Sequence, residues 1–148
     1  MIKLSTAICC ALCLTAAPSF SQETAPEAEA EAETPELRPA PDYFVETIVA
    51  LTIAQQVARS CKTLSVNPVE AQKASATVME RLAADGFNVD APHEEMIDPS
   101  ERAVEMQQAF LAKHSLVEGI GEEDVCAAGR AEMAEGSETG SYLIEVDG

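Results

Sequence analysis

Val45, Val49, Ile53, Val57 and Cys61 recur every four residues, and a cysteine closes the series. That period puts them on one stripe of an α-helix. Phe44, Ile48 and Leu51 widen the stripe on an adjoining face, while Glu46, Gln55, Gln56 and Arg59 interrupt it. So broad an apolar face must be covered on several sides, which predicts the central helix of a helical domain. Asp42 is placed to cap it, and Arg59 and Lys62 near its end suit the helix dipole. Whatever Cys61 is joined to is pinned to the end of that helix.

The chain has five cysteines. Three of them, Cys9, Cys10 and Cys13, lie in an apolar run, Leu4 to Ala17, that follows Lys3 and leads to Pro18-Ser19-Phe20-Ser21-Gln22. One basic residue, a short apolar stretch and small residues at the cleavage positions predict a signal peptide over residues 1–21, cut between Ser21 and Gln22. Cutting after Ala17 would set Pro18 beside the scissile bond. The run falls short of the roughly 20 apolar residues of a spanning helix, and Cys10-Ala11-Leu12 before Cys13 does not suit a lipid-anchored cleavage point. The protein is therefore expected to be periplasmic or secreted, without membrane insertion after cleavage. Cys61 and Cys126 remain, and two thiols in an oxidising compartment predict one disulfide. The alternative is a shared metal, but with no CxxC and no histidine beside either cysteine they make a poor zinc site.

Charge narrows the partners. The full chain carries a formal net charge of −17; losing Lys3 would leave about −18 by the same counting. Such a surface disfavours nucleic acid and anionic membranes, which need clustered lysine and arginine. It keeps a protein soluble and can steer basic partners or cations toward itself. Residues 22–41 concentrate the charge: Glu27, Glu29, Glu31 and Glu33 alternate with alanines among Pro26, Pro35, Pro39 and Pro41. That composition buries too little apolar area to offset ordering, so it reads as a disordered acidic leader before a domain over residues 42–148.

Within that domain, Asn67-Pro68-Val69-Glu70 supplies a cap, a proline at the first helical position and a following carboxylate, predicting a second helix through Val78, Met79 and Leu82 to Gly86. Its alanines keep it slim. Residues 87–98 suggest at most a helical turn around His93. Asp98-Pro99-Ser100-Glu101 repeats the start signal for a third helix through Ala103, Met106, Phe110, His114 and Val117, ending at Gly119 or Gly121. Glu122-Glu123-Asp124 opens a fourth, with Val125, Cys126, Gly129 and Met133 on one face and Gly136 as its stop. Tyr142-Leu143-Ile144 and Val146 form an apolar tail too short to assign. Four helices, short connections and almost no strand signal predict an all-α, four-helix bundle-like domain.

The stretch Cys126-Ala127-Ala128-Gly129-Arg130-Ala131-Glu132-Met133-Ala134-Glu135-Gly136-Ser137-Glu138-Thr139-Gly140 resembles the C-terminal segment of an uncharacterised "domain of unknown function" family of small exported alphaproteobacterial proteins. Ile53-Ala54 leading to Arg59-Ser60-Cys61 is similar to the matching part of its first helix. The likeness covers roughly residues 43–143, and the acidic leader and few lysines depart from the family's pattern. The resemblance implies an exported compartment, a helical fold and the cysteine pair, and assigns no activity. Physical reasons account for the same residues: Gly129 would remove a side chain where helices cross, Arg130 could pair with Glu122, Glu123 or Asp124 or cap another helix, and Gly136 and Gly140 would permit a stop and a turn.

Chemistry-bearing patterns are sparse. His93-Glu94-Glu95-Met96 offers ligand types without ligand spacing, and the second histidine, His114, is distant in sequence and falls on the third helix's apolar stripe. Met79, Met106 and Met133 occupy core-like positions. Asp85 to Asp90 fails as a calcium loop because Phe87 and Val89 stand where ligands are required. No GxSxG or redox CxxC is present. The expectation is a non-enzymatic periplasmic binding or accessory protein that needs no cofactor and has a protein partner with a basic surface. The alternatives are an acidic inhibitor of a basic secreted or cell-wall enzyme, and a metal-dependent enzyme whose scattered site would bring His93 and His114 together.

Overall fold

The computed structural model describes residues 36–116 and 120–147; the expected signal peptide and most of the acidic leader lie outside them. Eight elements follow in order: α1 (Asp42–Ser60), β1 (Leu64–Val66), α2 (Pro68–Ala84), a 3-10 turn (Pro92–Glu94), α3 (Ser100–Lys113), α4 (Glu122–Glu135), the short α5 (Glu138–Ser141) and β2 (Leu143–Glu145). The described residues are mostly helical, with one small two-stranded sheet, and α1 is the axis, in contact with α2, α3, α4, α5 and β1. Val45, Val49, Ile53, Val57 and Cys61, the stripe the four-residue spacing predicts, are buried along it; Ala50 and Ala54 join them, whereas Ile48, expected to widen the stripe, is exposed.

The two short strands pair antiparallel, Leu64 opposite Glu145, Ser65 opposite Ile144 and Val66 opposite Leu143. Bonds from Val146 N to Thr63 O (3.0 Å) and Asn67 N to Tyr142 O (2.7 Å) flank the pairs. Three-residue strands carry too little periodicity to be seen in sequence. In the same core the end of α1 is bonded to α4 through Cys61 and Cys126, with Cα atoms 5.2 Å apart. That lies inside the range a disulfide spans without backbone displacement. Leu64, Tyr142 and Leu143 also belong to the main core around α1.

Asn67 caps α2 as expected, accepting from the amides of Val69 and Glu70. Asp42 does not cap α1; Pro41 precedes the helix, and Asp42 is a first-turn carboxylate bonded to Arg102. Helix α3 is shorter than its apolar spacing predicts. Ser115 takes φ 54°, and Leu116 N returns to Leu111 O at 2.8 Å, a left-handed helix ending that turns Leu116 into the core. The same closure, with glycine in the left-handed position, ends α2 at Gly86 and α4 at Gly136.

A second, smaller core of Val78, Leu82, Phe87 and Met96 sits between α2 and the 3-10 region. Folded structure begins before Asp42, at the end of the segment expected to be the leader. Arg38 N bonds Glu95 O, Ile97 N bonds Arg38 O, and the guanidinium lies 3.6 Å from the Phe87 ring centroid. It also donates to Asp85 O and Gly86 O, carbonyls at the end of α2. Met79, core-like by spacing, is exposed on α2, where Val78 and Leu82 alone are buried.

Candidate functional site

Helix α3 has no fully buried residue, so charged contacts help to hold it. At its start Arg102 pairs with Asp42 and Glu46 of α1. At its end Lys113 and His114 converge on Glu132 of α4. Glu132 is 4 % exposed, and its Oε1 accepts from Lys113 Nζ at 2.8 Å and lies 2.5 Å from His114 Nε2. Lys113 also bridges to Glu135, and the His114 ring packs on Phe110 with centroids 4.8 Å apart. His114 is half-buried with this one side-chain hydrogen bond, in keeping with its place on the α3 stripe.

Burial alone would raise the Glu132 pKa, but hydrogen bonds from Lys113, Ser137 and His114 outweigh it and hold the carboxyl down at about 2. A group so far below neutrality is a weak proton acceptor, whereas general bases work best near the operating pH. Glu132 is suited to act as a fixed anion around which α3, α4 and α5 are assembled. Gly140 belongs to the same joint. The first turn of α5 passes so close to α4 that a Cβ on Gly140 would collide with the Glu132 backbone carbonyl.

The other residues of the Cys126–Gly140 stretch are also used in assembly. A Cβ on Gly129 would fall 2.5 Å from Leu64 Cδ1 and 2.7 Å from Val57 Cγ1, so its absence lets α4 lie against α1 and β1. Gly136 takes φ 65° at the end of α4. Arg130 does not reach the acids at the start of α4. It reaches across to β2 and the α1–β1 corner, bonding Glu145 at 3.2 Å and Thr63 Oγ1 at 2.7 Å. The Thr63 hydroxyl in turn lies 3.4 Å from Cys61 Sγ. Glu122 instead receives the Lys62 backbone amide, and that bond lowers its pKa.

Beside the Glu132 joint, α1 and α3 diverge to leave an open groove of about 300 Å³, with the α4–α5 corner as its third side. Val49, Ile53, Met106 and Phe110 line its apolar part, and Glu46 and Glu138 stand at it. Glu138 accepts from Thr47 Oγ1 at 2.7 Å and from the Tyr142 hydroxyl at 3.0 Å. Burial and the Glu138 carboxylate together push the Tyr142 pKa up to about 12. His93 lies elsewhere, in a cavity of about 230 Å³ with Phe44, Met96, Asp98 and Pro99. The two histidines are thus in separate environments. Among the described residues, no three His, Cys, Asp or Glu side chains are grouped so as to hold a metal ion.

A family model matches residues 36–144, from the start of the docked Arg38 segment to β2. The chain belongs to DUF5333, a family of unknown function. No curated protein and no solved structure matches it significantly. Every member of the Glu132 joint, both disulfide cysteines and the α1–α3 groove fall inside the DUF5333 match. So do both segments that carry the sequence resemblance, Ile53–Cys61 and Cys126–Gly140. Glu132 and Gly140 stood out in sequence only as parts of that stretch. The hint of Glu132's role was its register, since it lies three residues after Gly129 and beside Met133, on the inward side of α4.

Proposed function

We propose that the protein is a non-enzymatic binding or accessory module of the periplasm or extracellular space, with a surface that meets a basic partner. The observation that carries this reading is the disposition of its cations. Arg38, Lys62, Lys73, Arg102, Lys113 and Arg130 each pair with a carboxylate of the same chain. Arg81 stacks 3.6 Å from the Tyr43 ring centroid, and Arg59 donates to Gln55. Positive charge is spent on internal contacts, so carboxylates dominate what a partner would meet. Such a surface accelerates encounter with a basic protein and discriminates against acidic ones.

Export is supported by the signal-like first 21 residues and by a disulfide, which persists in oxidising compartments. The side chains best suited to chemistry, Glu132, His114 and the cysteine pair, are instead used to join elements. Cross-linking in cells of the native host, followed by affinity purification and mass spectrometry, tests the reading. Reproducible enrichment of an exported protein with a basic surface is expected. Enrichment of cytoplasmic proteins alone, or of nothing above background, would refute it.

A further inference from the structure

We propose that the α1–α3 groove is the docking site for a basic amphipathic segment of that partner, one of its apolar side chains seated on the groove floor and flanking lysines or arginines reaching Glu46 and Glu138. The inference rests on the basic-partner reading above and deepens it by assigning the surface and the chemistry of the segment. The floor is apolar because Val49 and Ile53 of α1 face Met106 and Phe110 of α3 there. The groove is open along one side, which suits a side chain presented by another protein better than an enclosed small molecule. Ala109 forms part of its wall and is exposed, so a small residue keeps the floor accessible.

Charge selects the occupant. Lys113 is the cation at the groove, and Glu132 and Glu135 already engage it. Glu46 shares Arg102 with Asp42, and Glu138 is held by two hydroxyls; on its other side it borders a pocket with Lys73 and Arg81, which engage Glu70 and the Tyr43 ring instead. Among the described residues, Glu138 has no cationic partner. The chain's own leader cannot supply one, because Glu27, Glu29, Glu31 and Glu33 carry the same sign, and a second copy of a chain at −17 is disfavoured for the same reason. An amphipathic segment with basic flanks answers both features at once.

The test uses the protein with its disulfide intact and two fluorescent peptides of equal charge, one helical with leucines on one face and lysines elsewhere, the other with lysine but no leucine. Binding is read by anisotropy at low salt. The leucine-lysine peptide should bind roughly tenfold more tightly, the gain expected from burying most of one apolar side chain. Ala109→Trp, which fills the groove, should abolish that difference. Ala109→Lys, at the same exposed position, provides a second blocking variant should the tryptophan disturb α3. Glu138→Gln should weaken binding several-fold, whereas Glu80→Gln on the exposed face of α2 should not. If both Ala109 variants fold and bind normally, or if Glu80→Gln weakens binding as much as Glu138→Gln, the groove assignment is overturned while the basic-partner reading stands. If neither peptide binds, both fall.

Discussion

Taking the carboxylate from Glu132 would leave Lys113 and His114 converging on a buried position with nothing to accept from them. Loss of a buried charged partner is among the costlier single changes, so Glu132→Ala should destabilise the fold by about 3 kcal/mol in urea titrations. Acid offers a second check. The Glu132 carboxyl sits at about 2 against an ordinary 4.5. The unfolded chain therefore binds that proton more readily, and the stabilisation is complete above about pH 4.5 and fades as pH falls toward 2. Its size is on the order of 3 kcal/mol, and Glu132→Gln should flatten the corresponding part of the stability curve. Gly140→Ala should also be severely destabilising, because the obstacle is the Glu132 backbone rather than a movable side-chain end. Little of this was legible in sequence. Glu132 is one of 26 acidic residues, and its register on α4 hints at burial without revealing that Lys113 and His114 lie opposite.

At the scale of elements, helix starts were readable where a side chain does the capping, and helix ends where glycine permits a left-handed residue. Asn67 and Gly86 delimit α2 in sequence as they do in the structure. The end of α3 carries no glycine signal, because Ser115 adopts φ 54° there. Apolar residues at helical spacing continued past it, but Leu116 is drawn inward by a changed chain direction. Ser115→Gly should relieve that conformation and stabilise the protein by up to about 1 kcal/mol in thermal unfolding. The disulfide was legible from counting cysteines, and the β1–β2 pair was not, since it depends on contacts between segments far apart in the chain. Closing a loop of this length is worth on the order of 4 kcal/mol in the chain-entropy model. Replacing both Cys61 and Cys126 by serine should therefore lower the unfolding midpoint markedly, and reductant should affect the parent protein but not the double variant.

For the molecule as a whole, helical class and acidic character follow from patterning and composition, whereas the arrangement of charge does not. Composition records few cations; the structure adds that most of them are committed to carboxylates of the same chain, leaving a surface whose net sign is carried by unpaired acids. Pairs between elements such as Arg102–Asp42 and Arg130–Glu145 have no local sequence signature, because they form only once α1, α3, α4 and β2 are packed. An acidic surface facing a basic one gives a binding free energy that depends on ionic strength, since exposed charges beyond about 10 Å are screened at 0.1 M salt. The most direct test of the binding role is the dissociation constant of the captured complex measured from low to high salt. The account predicts steep weakening as salt rises, whereas an affinity that stays constant or strengthens would contradict it.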